Sequence, residues 1–212
     1  MKITKLGHSC LIVETKGKRI LIDPGSYTTE EQTAEKNIDI ILITHEHPDH
    51  FDLQSLVKII ENNTSATIIT NDGVGKILEK EGLKYEILEN KTPKDFSGIE
   101  IEAHNCKHEE IFEEFGQVKN TAFFIDKRLL CLGDSFYNPE KSVEILALPV
   151  AGPWAKVKDA MQYVLTIKPK ICFPVHDGML KSFGSAHRVP GAVLSKFNII
   201  FKNFEENKTE EF

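Results

Sequence analysis

The stretch IDIILITHEHPDH, residues 38–50, runs from an apolar segment straight into three histidines, Glu46 and Asp49. The apolar half predicts a β-strand over residues 38–44 that is buried on both faces. The polar half begins where that strand ends, and α/β proteins place their ligand sites at the carboxyl ends of strands. The sequence therefore predicts a functional loop over residues 45–50, which we call the histidine loop.

The side chains of this loop suit a divalent metal. Neutral imidazole and carboxylate are ligands that first-row divalent metals accept. His45 and His47 are two residues apart, so in an extended loop they point the same way. Asp49 and His50 come at the start of the following helix and should point elsewhere. The spacing predicts two metal subsites side by side.

Strand and helix patterns alternate outward from this loop. Leu53, Leu56, Val57 and Ile60 recur at the spacing of an amphipathic helix that begins after Asp52. Other predicted helices cover residues 74–81 and 157–166, and other predicted strands cover 11–14, 19–22, 67–70, 85–88, 99–103, 121–125, 129–132, 145–149 and 171–175. No linker divides the chain, so we expect one α/β domain over residues 1–212 with an acidic, frayed tail at about 205–212.

Three more ligand-type residues follow predicted strands. His104 follows the strand at 99–103, Asp134 follows the strand at 129–132, and His176 follows the strand at 171–175. Each is the first strong ligand after its strand. We expect them to share a rim of strand ends with the histidine loop.

Composition restricts the class of protein. The 212 residues are 41% hydrophobic and 27% charged, which predicts a folded chain rather than a disordered one. A net charge of −6 argues against a surface that tracks nucleic-acid phosphates. The start of the chain lacks a signal-peptide pattern, no apolar run is long enough to span a membrane, and the four cysteines form no C-x-x-C pair. We expect a reduced, cytoplasmic protein without a membrane partner.

The motifs together resemble the metallo-β-lactamase fold superfamily of metal-dependent hydrolases. The resemblance covers nearly the whole chain, in the order Asp23, the THEHPDH run at 44–50, His104, GDS at 133–135 and PVH at 174–176. It implies an α/β fold, the four-layer αββα sandwich in which two mixed β-sheets are flanked by helices.

A narrower resemblance is to the ascorbate-6-phosphate lactonase-like branch of that superfamily. It is carried by GHS at 7–9, LPVAG at 148–152, DA at 159–160 and IKPK at 167–170. The chain departs from that branch at Pro153-Trp154, where the branch usually has a Thr-Met pair. We therefore expect a different substrate wall at this point.

The resemblance also implies a ligand set for two zinc ions, with manganese or iron as alternatives. One ion would be held by His45, His47 and His104, the other by Asp49, His50 and His176, with Asp134 bridging. A histidine at residue 47, rather than the glutamate of di-iron relatives, favours zinc. Asp49 would be the catalytic residue that orients a bridging hydroxide, and Asp23 would accept hydrogen bonds from the histidine loop without binding metal.

Several residues near the expected site stay open at this stage. His108 replaces His104 as a ligand if residues 105–110 form a helical turn, and is otherwise a loop histidine. Cys106 is an extra soft ligand or a buried thiol. The loop at 107–119 is a flap over the site or caps the core with Phe112 and Phe115.

Four residues are candidates for substrate binding: His8, His108, His187 and Arg188. His8, in a Gly-His-Ser turn, orients the substrate or makes a structural hydrogen bond. His187 and Arg188, in the glycine-rich segment 178–191, suit an anionic substrate group, or form a surface pair in a loop.

These observations predict a binuclear zinc hydrolase that cleaves a small ester, lactone or phosphate-bearing metabolite. A metal-dependent phosphodiesterase or nuclease is one alternative, although the acidic charge does not favour nucleic acid as a partner. A non-catalytic metal-binding scaffold is another. A true β-lactamase is not expected, since the chain shows no export signal. The sequence leaves homo-oligomerisation open.

Overall fold

Two seven-stranded β-sheets face each other in the computed structural model, which describes residues 1–89, 91–96 and 98–212. The strands are β1 (Lys2–Gly7), β2 (Cys10–Thr15), β3 (Lys18–Ile22), β4 (Ile40–Leu42), β5 (Thr67–Thr70), β6 (Glu86–Ile87), β7 (Lys94–Phe96), β8 (Ile99–Lys107), β9 (Lys119–Ile125), β10 (Leu129–Cys131), β11 (Ile145–Pro149), β12 (Ile171–Val175), β13 (Ile200–Phe201) and β14 (Thr209–Glu211). The helices are α1 (Thr29–Ala34), α2 (Leu53–Asn62), α3 (Asp72–Lys80), α4 (Val157–Ile167) and α5 (Gly184–Val193), and a 3-10 turn covers Leu194–Phe197.

Both sheets are mixed. The first has the strand order β14-β1-β2-β3-β4-β5-β6, in which β3 to β6 are parallel and the remaining pairs antiparallel. The second has the order β13-β12-β11-β10-β9-β8-β7, in which β10 to β13 are parallel and the remaining pairs antiparallel. Two mixed sheets with flanking helices confirm the predicted fold class.

Side chains along each strand point alternately to the core between the two sheets and to the helices on the outer face. Ile40 and Leu42 of β4 join the core between the two sheets, whereas Ile41 faces α2 and α3 on the other side of its sheet. The second sheet does the same, since Ile145 faces the core between the sheets and Leu146 packs toward α4 and α5. Because successive strand residues point to opposite faces, a nearly all-apolar strand is what a doubly covered sheet requires.

Helix α2 begins directly after the histidine loop. The Asp52 carboxylate accepts a hydrogen bond from the backbone N–H of Ser55 at 2.8 Å, which satisfies one free donor in the first turn. Leu56 and Ile59 are buried against the first sheet. Among the described residues no helix is both long and apolar enough to cross a bilayer.

Two of the differences from the sequence predictions concern candidate site residues. Strand β8 continues to Lys107 instead of ending at Ala103, because its ladder with β9 runs unbroken to the Lys107–Lys119 pair. Residues 184–193, expected to lie in a glycine-rich loop, form α5.

The acidic tail also differs, because its end is ordered rather than frayed. Residues 209–211 form β14, which pairs with Lys2–Thr4 of β1. The Phe212 ring lies 5.5 Å from Phe204, which stacks on the buried ring of Phe173 at 4.6 Å between centroids. Sheet pairing and these aromatic contacts outweigh the repulsion among the tail carboxylates.

The contribution of the tail can be measured by replacing Phe212 with alanine. We expect the free energy of unfolding in urea to fall by about 1 to 2 kcal/mol, part of the value for a fully buried phenyl ring. The matched control is Phe197→Ala, because Phe197 is 51% exposed. It should change stability by about 0.5 kcal/mol or less. Equal effects of the two substitutions would show that the tail does not pack as described.

Candidate metal centre

Eight side chains form two adjacent groups at the rim between the sheets. Each residue of a group offers one ligand atom, and these atoms lie within 4.8 Å of one another. The first group is His8, Asp49, His50 and His176, and the second is His45, His47, His108 and Asp134. The structure thus brings together six of the seven residues predicted as ligands, and adds His8 and His108.

The histidine loop is held in place by close contact with the turn after β3. A Cβ atom on Gly25 would lie 1.9 Å from the backbone oxygen of Asp49, so only glycine permits the two chain segments to approach this closely. Ser26 N–H donates to the backbone oxygen of Pro48 at 2.8 Å. These contacts fix the position of the backbone from which the Asp49 and His50 side chains project.

Three residues around the site have left-handed backbone conformations. The φ angles are 48° at His8, 47° at Asp23 and 60° at His176. Non-glycine residues adopt this conformation at a cost of about 1 to 3 kcal/mol each, and such residues cluster at functional sites. The fold therefore holds these side chains in place against a local backbone preference.

Asp23 orients His45 and His50 of the histidine loop. Its carboxylate accepts hydrogen bonds from the Thr44 backbone N–H and from the Thr44 hydroxyl, both at 2.8 Å, and lies 2.7 Å from Nδ1 of His50. Because the Thr44 hydroxyl donates to Asp23, its oxygen accepts from Nδ1 of His45 at 3.0 Å. Both imidazoles therefore carry their proton on Nδ1, which leaves the Nε2 lone pair free.

His108 and His176 also carry their hydrogen on Nδ1, where a backbone carbonyl accepts it. Nδ1 of His108 lies 2.6 Å from the carbonyl oxygen of Glu109, and Nδ1 of His176 lies 2.7 Å from that of Ala151. A carbonyl oxygen only accepts, so each Nδ1 donates. Four histidines thus present a bare Nε2 atom, the form in which imidazole binds metal.

The buried atoms without a hydrogen-bond partner point to the same conclusion. They include Nε2 of His45, His50 and His176, and Oδ1 of Asp134. Nε2 of His50 approaches Oδ1 of Asp134 to 2.9 Å without forming a hydrogen bond. Buried lone pairs that face one another are costly unless a cation lies between them. The residues therefore fit divalent metal ions.

Electrostatics favour the ligand forms of His45 and Asp134. Burial acts to lower the pKa of His50 and of His176, but the carboxylate of Asp134 outweighs it and raises the pKa of both. Burial lowers the pKa of His45 well below its ordinary value, so this imidazole is neutral near pH 7. Burial acts to raise the pKa of Asp134, but the neighbouring His50 and His176 outweigh it and hold the pKa well below its usual range. A neutral imidazole and an ionised carboxylate are the states that bind metal.

His8 belongs to the first group by distance but differs in its proton. The backbone N–H of Gly178 donates to Nδ1 of His8 at 3.1 Å, so Nδ1 is the acceptor and Nε2 carries the hydrogen. That Nε2 lies 3.2 Å from Oδ2 of Asp49. A protonated nitrogen cannot bind a cation, so His8 is suited to donate to Asp49 and not to serve as a ligand.

His104 does not reach the centre, and this corrects the expectation that it is a ligand. It lies inside β8, on the face toward the helices, where Nε2 is 2.9 Å from Oε1 of Glu102 and the ring is 5.4 Å from that of Tyr137. Because β8 continues to Lys107, the first ligand-type residue after the strand is His108. No helical turn is involved, since residues 105–107 are strand.

The remaining candidate residues lie outside both groups. Nε2 of His187 lies 2.8 Å from Oδ2 of Asp177, whose other oxygen pairs with the buried Lys5, so His187 is not directed at the metal groups. Arg188 is exposed on α5. Cys106 accepts a hydrogen bond from Asn120 at 3.2 Å on the helix side of β8, and burial raises the pKa of its thiol.

Residues of the loop at 107–119, His108 among them, line a cavity of about 960 Å³. Phe112 and Phe115 are 68% and 73% exposed, so their rings do not cap the core. A Cβ atom added to Gly116 would lie 2.8 Å from Cδ1 of Ile111 and 3.9 Å from Cε1 of His47. The loop therefore borders the centre.

Two aromatic residues also border the centre. Tyr27 stacks on His8 with 4.4 Å between ring centroids, and its position gave no signal in the sequence. The indole of Trp154 donates a hydrogen bond to Oδ2 of Asp134 at 3.0 Å. The sequence marked this position as a different substrate wall but gave no indication of the contact with Asp134.

Known proteins with similar sequence and fold include metal-dependent hydrolases. A family model described as the beta-lactamase superfamily domain matches residues 2–176. A UPF0173 protein of Pyrococcus abyssi is 31% identical, with 84% of each chain aligned. A UPF0173 metal-dependent hydrolase of Carboxydothermus hydrogenoformans is 30% identical over 83% of this chain and 84% of the relative. A metallo hydrolase from the archaeon Ignicoccus hospitalis shares the fold, with a TM-score of 0.79, 20% identity and coverage of 100% and 98%.

The contrast between the two histidines of the β8 region is testable by metal content. We expect His108→Ala to lose about one metal equivalent per chain, because it removes a bare Nε2 atom from the second group. His104→Ala should keep the full metal content, since its ring faces Glu102. The measurement is elemental analysis of purified proteins after dialysis. Loss of metal in His104→Ala with full content in His108→Ala would restore the original expectation.

Proposed function

Because the chain belongs to the beta-lactamase superfamily and is a metal-dependent hydrolase, we propose that it binds two zinc ions and cleaves a small ester, lactone or phosphate-bearing metabolite. The observation that carries the binuclear part is the set of four histidines with bare Nε2 atoms in two adjacent groups. Asp134 of the second group also lies 2.9 Å from Nε2 of His50 and of His176 in the first. Nitrogen and carboxylate ligands suit zinc and are also accepted by manganese and iron.

The proposed ligands follow the two groups. Asp134 lies between them, since Oδ2 is 3.1 Å from Nε2 of His108 and Oδ1 is 2.9 Å from Nε2 of His50. This carboxylate can therefore serve both ions. We assign His45, His47 and His108 to one ion, Asp49, His50 and His176 to the other, and Asp134 to both.

Bound zinc would lower the pKa of water to about 7 and polarise the oxygen of the bond under attack. Asp49 is the residue that we propose to orient the attacking water and accept its proton. Burial acts to raise the pKa of Asp49, but the neighbouring His176 and His8 outweigh it and lower the pKa, so the carboxylate stays ionised. Nε2–H of His8 donates to Oδ2 of Asp49. The hydrogen is on Nε2 because Nδ1 of His8 accepts from the backbone N–H of Gly178.

A small substrate fits the charge around the centre better than a polyanion. The loop beside His108 carries four carboxylates, Glu109, Glu110, Glu113 and Glu114, and the chain has a net charge of −6. These charges would repel a nucleic-acid backbone. A lactone stays among the candidate substrates through the resemblance to the lactonase-like branch, with Trp154 as the point of difference. All four cysteines are free, which suits a cytoplasmic location.

Metal removal tests the proposed reaction. We expect dialysis against a chelator to abolish hydrolysis on a panel of esters, lactones, thioesters and phosphodiesters. Two equivalents of zinc should restore the activity, because Asp49 alone cannot activate water. Full activity in the metal-free protein would contradict the proposal. Two bound ions without turnover on the whole panel would instead support a non-catalytic scaffold.

The role of His8 can be separated from metal binding. His8→Leu removes the donor to Asp49, so kcat should fall about tenfold to a hundredfold while both ions are retained. His8→Gln provides an N–H group at similar reach and should recover part of the loss. Tyr27→Phe, which keeps the ring stacked at residue 8, is the matched control and should leave kcat unchanged. Loss of one ion in both His8 variants would identify His8 as a ligand.

A further inference from the structure

The carboxylate of Asp134 has one donor that is not itself a candidate ligand. Oδ2 of Asp134 accepts from the Trp154 indole at 3.0 Å and also lies 3.1 Å from Nε2 of His108 and 2.9 Å from Nε2 of His176. Both histidines carry their hydrogen on Nδ1, where a backbone carbonyl accepts it. Of the groups near Oδ2 in the described part of the chain, the indole is therefore the one with a hydrogen to donate.

The indole is held at this position by its surroundings. A Cβ atom on Gly152 would come within 3.0 Å of Cε2 and Nε1 of Trp154, so the absence of a side chain there leaves space for the ring. The Phe136 ring packs edge-on against the indole, with 5.5 Å between ring centroids. The indole centroid is 5.9 Å from His108 and 5.5 Å from His176, so one ring reaches ligands of both groups.

We propose that Trp154 is a positioning residue for the metal centre, which holds the Asp134 carboxylate in the orientation that lets it serve both ions. This inference rests on the proposed binuclear site. The indole N–H limits rotation of the carboxylate and takes up one lone pair of Oδ2, leaving the others for metal. Phenylalanine would preserve the aromatic wall but not this restraint.

The first test compares Trp154→Phe with the wild type. We expect the affinity for one of the two zinc ions, measured by competition with a chromophoric chelator, to fall about tenfold to a hundredfold. The visible spectrum of the cobalt-substituted protein should change as well, because the carboxylate orientation alters the ligand field. Phe136→Leu is the matched control, since it disturbs the packing around the indole but keeps the N–H donor. Its zinc affinity should stay within about threefold of the wild type.

The second test uses the wild-type protein and does not depend on any variant folding. Trp154 is the only tryptophan, so a ¹⁵N-labelled sample gives a single indole N–H signal. We expect slow exchange of this hydrogen with solvent, and a shift of the signal as zinc is added, because the acceptor becomes a ligand.

The outcomes separate this inference from the function on which it rests. Wild-type protein that binds two ions and hydrolyses substrate, with unchanged zinc affinity and cobalt spectrum in Trp154→Phe, overturns the role of Trp154 alone. An indole signal that exchanges rapidly and does not respond to zinc also overturns it. Wild-type protein that binds fewer than two ions overturns the proposed binuclear site itself.

Discussion

The buried carboxylate of Asp23 connects the first sheet to the metal centre. It lies at the end of β3, where its own N–H donates to the carbonyl of Leu42 on β4, and its oxygens accept from Thr44 and His50. One side chain thus ties two neighbouring strand ends together and determines the proton positions of two histidines. A carboxylate is required here because only an acceptor without hydrogens can receive all of these donors at once. The ligand geometry of the histidine loop depends on this group.

The sequence predicted the parts of the centre that follow from strand ends. The loop at 45–50 and the residues Asp134 and His176 come together because parallel strands bring their carboxyl ends to one edge, and each strand ends near its predicted position. His104 was misplaced for the same physical reason. The apolar pattern of β8 stops at Ala103, but backbone pairing with β9 continues through polar residues to Lys107. Apolar periodicity detects burial, and it does not detect the hydrogen-bonded ladder that extends a strand beyond the core.

Contacts between residues far apart in the chain could not be predicted from the sequence. The contact of His8 with Asp49 joins residues that are 41 positions apart, and the bond from Trp154 to Asp134 depends on the space left by Gly152. The fold of the final residues was missed because their charge suggested fraying, whereas β1 offers a free edge for pairing and Phe173 offers an aromatic surface. Each of these features arises from tertiary packing, which leaves no periodic pattern along the chain.

The two sheets contribute different residues to the proposed ligand set. His45, His47, Asp49 and His50 come from the first, and His108, Asp134 and His176 from the second. On the ribosome, the first four leave the exit tunnel long before the last, because 126 residues separate His50 from His176. The nascent chain therefore passes through a stage in which β1 to β6 have been synthesised and the histidine loop has no partners from the second sheet. The proposed metal centre needs residues from both sheets, so we expect metal loading to follow the docking of the two halves, late in the biosynthesis of the protein.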